Sequence, residues 1–91
     1  NMHALQRMRL AVHEQRYRIS SRANEEMSKD ELVAMDIESI IMTGKIVRRY
    51  THDLRGTRYV IIGDTADSRG AYVVCRFLPS GILLIITAYV K

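Results

Sequence analysis

Basic side chains crowd one short segment of the chain. Residues 45–58 contain a single acidic residue, Asp53, against five cations: Lys45, Arg48, Arg49, Arg55 and Arg58. Arginine and lysine bind phosphate oxygens through charge-assisted hydrogen bonds, although a solvated strand face can carry the same residue types. We therefore take Lys45, Arg48, Arg49 and Arg58 as candidate RNA-binding residues.

Residues that could act on a bound phosphate lie on or near the same predicted strands. Metal-free RNA cleavage requires activation of a 2′-hydroxyl, stabilisation of charge on the phosphate and protonation of the leaving 5′-oxygen. Arg76 could stabilise that charge, and Tyr59, Tyr89 or His52 could transfer a proton. Thr87 could orient the substrate. Ordinary packing within a sheet is the alternative for Tyr59 and Thr87.

Arg22 is a further candidate, because of its position near the start of a predicted helix. Ser20 or Ser21 is the expected cap, which puts Arg22 in the first turn. A cation there opposes the helix dipole. Arg22 is therefore either a solvated residue or the ligand of an anion beside the helix N-terminus.

The sequence contains no metal or cofactor motif. His3, His13 and His52 are scattered, with no second His or Cys at ligand spacing. Cys75, the one cysteine, lies in an apolar run and is expected to be a small buried hydrophobe without a disulfide. We therefore expect no cofactor and no metal.

The sequence also gives an expectation for the location of the protein. No apolar run approaches the roughly 18 residues that a membrane span requires, and no signal-peptide pattern is present. The single cysteine suits a reducing compartment. These features predict a cytoplasmic protein that does not associate with membranes.

Three helices are predicted to precede the sheet. Met2, Leu5, Met8 and Val12 recur at helical spacing and predict a helix over residues 2–15, whose apolar face either packs on the domain or serves a partner. Residues 15–19 are predicted to be a short extended joint before a brief second helix.

The third helix has the strongest pattern. Ser28 and Glu31 have the spacing of a capping box, and Gly44 is expected to end the helix at the C′ position. Its predicted buried stripe consists of Val33, Ile37, Ile40 and Ile41.

Four strands are predicted in the second half, at residues 45–51, 57–62, 71–78 and 82–90. The last is apolar on both faces, which is typical of a central strand. Strict alternation along the first puts Arg48 and Tyr50 on one face and Lys45 and Arg49 on the other.

The register of the last hairpin is left open by the sequence. A four-residue loop after Leu78 would put Tyr72 opposite Thr87 and Arg76 on the face of Thr87 and Tyr89. A three-residue loop would put these groups on opposite faces.

Ninety-one residues allow one domain with one small core. The element pattern predicts an α+β fold in which a helical layer, residues 2–44, packs on a four-stranded twisted antiparallel sheet, residues 45–90.

Four stretches resemble the family described as domain of unknown function 4258: YRISSRANEEM, LVAMDIESIIMTGKIVRRY, GTRYVIIG and GILLIITAY. They lie between Tyr17 and Tyr89, a range that covers about four-fifths of the chain. The resemblance implies a small bacterial toxin similar to RelE- and MqsR-type messenger RNA interferases, with a RelE-like, microbial-ribonuclease-like fold. It also implies a cognate antitoxin with a zinc-finger domain, similar to MqsA.

One residue departs from the family pattern. The family has His-Ala where this chain has Arg22-Ala23. A histidine could act as general acid or base, whereas a guanidinium stays protonated and can only bind a phosphate. The resemblance carries over to these positions: Arg22, Glu26, Arg48, Tyr59, Thr87 and Tyr89.

Three functions follow as expectations. The first is a metal-independent endoribonuclease toxin that acts on messenger RNA, free or on the ribosome, and that Arg22 has inactivated unless catalysis rests on another residue. The second is a binding module that holds RNA or a protein without catalysis. The third is an interaction protein whose Met-rich first helix pairs with an antitoxin or with a second copy as a homodimer.

Overall fold

The computed structural model describes residues 3–91 as three helices and five strands, which confirms the α+β class. The helices are α1 (Ala4–His13), α2 (Ser21–Lys29) and α3 (Ala34–Thr43). The strands are β1 (Tyr17–Ile19), β2 (Lys45–Tyr50), β3 (Arg58–Asp64), β4 (Gly70–Phe77) and β5 (Leu83–Val90).

The strands form one mixed sheet in the order β1-β5-β4-β3-β2, so the prediction of four antiparallel strands was wrong. The added strand is the predicted joint: Tyr17 pairs with Leu83 and Ile19 with Ile85, parallel to β5. Three residues are too few to display a strand pattern in the sequence. Because β1 covers one edge of β5 and β4 the other, β5 lies inside the sheet, as its apolar faces predicted.

The helices pack against one face of this sheet. α2 contacts β5, α3 contacts β3 and β4, and α1 contacts α3. Met8 and Val12 of α1 are buried in the core, which confirms that this helix packs on the domain; Met2 lies outside the described residues. No helix in residues 3–91 has both the length and the apolar character that a membrane crossing demands.

The start of α3 differs from the prediction. Ser28 lies inside α2, where its hydroxyl donates to the Asn24 carbonyl at 2.9 Å, so Ser28 caps no helix. The true box is five residues later: the Val33 N–H donates to Asp36 Oδ2 at 2.9 Å. Val33 is therefore the cap and is 61% exposed, whereas the predicted stripe residues Ile37, Ile40 and Ile41 are buried.

Gly44 follows α3, but for a different reason than predicted. Its φ is −93°, so it does not adopt the left-handed conformation expected at C′. A Cβ at Gly44 would lie 2.3 Å from the Ile62 carbonyl oxygen and 2.4 Å from that of Ile40. Glycine is required because the helix end meets β3 backbone to backbone.

Candidate nucleic-acid interface

One face of the sheet carries no helix, and we call it the open face. The opposite face is the buried one, with Ile61, Val73, Cys75 and Ile85 in the core. Side chains alternate along a strand, so the residues between these point away from the helices. The polar and aromatic residues of the open face are Arg18, Lys45, Arg48, Tyr50, Arg58, Tyr72, Arg76, Thr87 and Tyr89.

A bulge in β2 changes which cations share this face. Lys45 pairs with Ile62 and Ile46 with Ile61, but the next pair is Arg48 with Val60, which leaves Val47 as an extra residue. Lys45 therefore lies on the face of Arg48, not on that of Arg49 as strict alternation predicted.

A second bulge, in β5, decides the register that the sequence left open. The Leu78 N–H donates to the Ile82 carbonyl at 2.8 Å, which closes a three-residue turn. With that turn alone, Thr87 and Tyr89 would lie on the face opposite Tyr72 and Arg76. The register shifts, however, after the Cys75–Ile85 pair. The shift leaves Ile86 as an extra residue.

Because of this second bulge, Tyr72 lies opposite Tyr89, and Val74 opposite Thr87. The two tyrosine rings have centroids 5.2 Å apart and planes inclined by 30°. They line a shallow depression of about 390 Å³ together with Val47, Arg48, Tyr50 and Val60. Tyr89 is exposed and Tyr72 is half-buried, and an accessible aromatic pair beside a cation is a surface on which an unpaired base can stack.

Three arginines lie in one row across the other end of the open face, and we call them the arginine row: Arg18, Arg76 and Arg58. Arg18 and Arg76 both pair with Leu84, on opposite sides of β5. Arg58 and Arg76 each lie one residue beyond the Tyr59–Cys75 pair and so occupy neighbouring positions.

The arginine row is poorly neutralised. The Arg76 Nε is buried and has no hydrogen-bond acceptor within residues 3–91. Arg58 lies over the Tyr50 ring at 4.6 Å and is 3.8 Å from the Asp53 carboxylate. Asp64, at the far end of β3, is the one acidic residue within the five strands. The open face therefore presents an excess of positive charge.

Asp53 also organises the loop between β2 and β3. Its carboxylate accepts from the Arg55 N–H at 2.9 Å and from Arg55 Nε at 3.2 Å. These bonds, with the charges of Arg55 and Arg58, hold the Asp53 pKa below its ordinary value. Arg58, His52 and Arg49 line a second depression of about 380 Å³ at this end, which puts both His52 and Arg49 beside Arg58.

Arg22 is exposed in the first turn of α2, and this turn is tied to the β5 bulge. The Ser20 N–H donates to the Ile85 carbonyl at 3.1 Å, and its hydroxyl donates to the Ile86 carbonyl at 3.4 Å. The same hydroxyl accepts from the Ala23 N–H, so Ser20 is the cap. The helix start that carries Arg22 therefore lies beside the strand segment that leads into Thr87.

Two predicted site residues do not join this group. Tyr59 pairs with Arg49 and with Cys75, so both Tyr59 and Arg49 lie on the helical side of the sheet. Tyr59 is half-buried against the core. Cys75 is fully buried, as expected, and burial raises the pKa of its thiol to about 12.

Sequence reasoning missed Arg18 and Tyr50 as site residues. Arg18 could not be assigned to a face because the three-residue strand β1 was not recognised. Tyr50 was placed correctly with Arg48, yet its contact with Arg58 depends on the pairing of β2 with β3. Within residues 3–91, no three His, Cys, Asp or Glu side chains converge into a metal-binding group.

Comparison with known proteins supports the resemblance at the level of the family. No curated protein and no solved structure matches the chain. The family described as "Domain of unknown function (DUF4258)" matches residues 19–90, from the end of β1 to the end of β5. The match includes Arg22 and every open-face residue named above except Arg18. The chain belongs to the DUF4258 family.

Proposed function

We propose that this chain is the toxin of a bacterial toxin–antitoxin pair and that it acts as a metal-independent endoribonuclease on messenger RNA, in the manner of RelE- and MqsR-type toxins. One observation carries the proposal: the open face, which no helix covers, combines basic side chains with a pair of stacked tyrosines. Phosphate binding by arginine together with base stacking on aromatic rings is how many proteins hold single-stranded RNA.

The chemistry would be an internal transesterification. The 2′-oxygen attacks the adjacent phosphorus, the bond to the 5′-oxygen breaks, and the products are a 2′,3′-cyclic phosphate and a 5′-hydroxyl. One group removes the 2′-hydroxyl proton and another protonates the leaving oxygen. Arg58 and Arg76 would stabilise the charge that develops on the phosphate.

Proton transfer is the step of the reaction for which the chain has the fewest candidate side chains. Tyr89 and Tyr72 on the open face, and His52 beside the arginine row, are the candidates. Thr87 lies between the tyrosine pair and the bulge and would orient the ribose. Tyr59 has no role in this version of the mechanism because it lies on the opposite side of the sheet.

A non-catalytic RNA-binding module is the second candidate function, and Arg22 favours it. The resemblance implies a histidine at this position, whereas a guanidinium stays protonated at neutral pH and cannot act as general acid or base. Arg22 could still hold a phosphate at the start of α2, so RNA binding would survive the loss of cleavage.

Cleavage of a single-stranded RNA in the presence of EDTA separates the two functions. The experiment compares this chain with its Arg22→His variant and analyses the products for 2′,3′-cyclic phosphate ends. We expect the histidine variant to cleave and the present chain to cleave much more slowly or only to bind. If neither protein cleaves free RNA or ribosome-bound messenger RNA, the nuclease proposal is wrong and the binding function is retained.

A cognate antitoxin completes the proposal. It would be a separate protein, with a zinc-finger domain if the likeness to MqsA extends to this pair. Co-expression of this chain with the product of a neighbouring gene, followed by purification through a tag on one of them, tests the pairing. A complex of defined mass supports it, and separate elution of the two proteins contradicts it.

A further inference from the structure

The arginine row and the tyrosine pair lie at opposite ends of the open face. Tyr72 and Arg76 are four residues apart on β4, which corresponds to about 13 Å along the strand. Thr87 and Val74 pair between them, so no charged side chain of β4 or β5 interrupts the path. The open face therefore has a phosphate-binding chemistry at one end and a base-stacking chemistry at the other.

The arginine row has a feature that ordinary sheet packing does not explain. Arg58 and Arg76 occupy neighbouring positions on adjacent strands, where two like charges destabilise a sheet. The Arg76 Nε is removed from solvent without an acceptor in residues 3–91. A buried donor without a partner costs free energy, and a cation costs more than a neutral group.

A bound anion would remove the first of these two costs, the repulsion between like charges. A phosphate between Arg58 and Arg76 would accept hydrogen bonds from both guanidinium groups and neutralise their repulsion. Asp53 cannot do this for Arg76, since its carboxylate contacts Arg55 and Arg58 instead. Arg18, on the other side of Leu84, would contact the next phosphate along the same row.

We propose that the open face binds single-stranded RNA in a two-part frame: a phosphate at Arg58 and Arg76, and the base of a neighbouring nucleotide on the Tyr72–Tyr89 pair. This inference rests on the proposed RNA function and specifies its binding mode. The separation of about 13 Å means that a mononucleotide held at the arginine row does not reach the tyrosine pair. The smallest ligand that fills both parts is an oligonucleotide.

Binding measured with two kinds of probe tests this frame. One probe is inorganic phosphate, compared with chloride at equal ionic strength. The other is a series of single-stranded RNAs from a mononucleotide to an octanucleotide. We expect a mononucleotide to fill only one part, either the arginine row or the tyrosine pair with the neighbouring Arg48, and affinity to rise once the strand is long enough to fill both parts.

Two variants test the two parts of the frame separately. Arg76→Gln is expected to weaken both phosphate and oligonucleotide binding, and Tyr72→Leu to weaken only oligonucleotide binding, by about 5- to 150-fold. Lys29→Gln is the charge control, because Lys29 ends α2 on the helical side of the sheet, and should weaken phosphate binding little. Thermal unfolding of each variant checks the fold, and Arg76→Gln should not lower the melting temperature.

The outcomes separate this inference from the proposed function. If RNA binds or is cleaved but Arg76→Gln changes neither probe, the frame is wrong while the function stands. If phosphate binds through Arg76 but no RNA binds at any length, the phosphate site stands and the RNA function is wrong. If Tyr72→Leu weakens phosphate binding as much as RNA binding, the two-part division is wrong.

Discussion

Tyr72 and Tyr89 lie opposite each other on β4 and β5, with 5.2 Å between their ring centroids, because the bulge at Ile86 shifts the register of β5. Without that extra residue, the three-residue turn would direct Tyr89 toward the helices. The bulge therefore creates the aromatic part of the open face. The same segment receives the Ser20 hydrogen bonds that hold the start of α2.

The tyrosine pair should be measurable as a coupling in the free energy of unfolding. Aromatic pairs in this geometry contribute about 0.5–1.5 kcal/mol beyond the area they bury. We expect a double-mutant cycle of Tyr72→Leu and Tyr89→Leu, followed by urea denaturation, to yield a coupling of that size. Strictly additive losses would mean that the two rings are not in contact and that the register is different.

Arg48 and Arg49 are adjacent on β2 and point to opposite faces, which makes them a matched pair. Removing one arginine–phosphate interaction reduces the slope of log affinity against log salt by about 0.7 for single strands. We expect Arg48→Gln to lower this slope by more than Arg49→Gln does. Fluorescence anisotropy with a single-stranded RNA at several salt concentrations measures both. Equal effects would indicate attraction by net charge without use of the open face.

Gly44 and Gly63 allow the end of α3 to touch β3, so alanine at either position should destabilise the fold. A Cβ at Gly63 would lie 2.3 Å from the Ile40 carbonyl oxygen, nearly the same clash as at Gly44. We expect each substitution to cost at least about 1–3 kcal/mol of unfolding free energy. Gly70→Ala is the control, because a Cβ there meets only the Lys91 side chain, at 3.6 Å. A cost at Gly70 equal to that at Gly44 would contradict this explanation.

Tyr17 should make the fold sensitive to alkaline pH. Its hydroxyl donates to Glu38 Oε2 at 2.5 Å, and burial, together with this bond and the Glu38 charge, raises the Tyr17 pKa from 10.0 to about 12. The folded chain thus keeps a proton that the unfolded chain loses. The resulting stability is complete below the ordinary tyrosine pKa and decreases as the pH rises toward 12.

Denaturation of the Tyr17→Phe variant across this pH range checks the prediction. At neutral pH we expect a loss of about 1–3 kcal/mol, because the Glu38 carboxylate loses a charged hydrogen bond. Above the ordinary tyrosine pKa the difference from the unmodified chain should shrink. The exposed Tyr50 serves as the control through Tyr50→Phe. A difference that stays constant with pH would show that the Tyr17 proton is not linked to folding.

Much of the fold could be predicted because long elements have clear periodicity. The stripe Ile37, Ile40 and Ile41 and the apolar strand β5 were assigned correctly. Short or irregular features could not be predicted in the same way. β1 has three residues, and the capping box at Val33 uses an apolar cap whose backbone N–H, not its side chain, meets Asp36.

The sequence predicted the residue types of the candidate site better than it predicted how those residues are arranged on the sheet. The residue types are correct for RNA, but their grouping depends on the extra residues Val47 and Ile86 in β2 and β5. A bulge has no reliable sequence signal when neither residue is glycine. Lys45 was consequently assigned to the wrong face of its strand.

The central claim is that RNA binds to the open face of the sheet. A titration of the uniformly ¹⁵N-labelled chain with a short single-stranded RNA, followed by amide chemical shifts, tests this claim most directly. We predict that the largest changes fall on β3, β4 and β5 around Arg58, Tyr72, Arg76 and Thr87, with small changes along α1 and α3. Changes confined to the helices, or none at saturating RNA, would contradict the account.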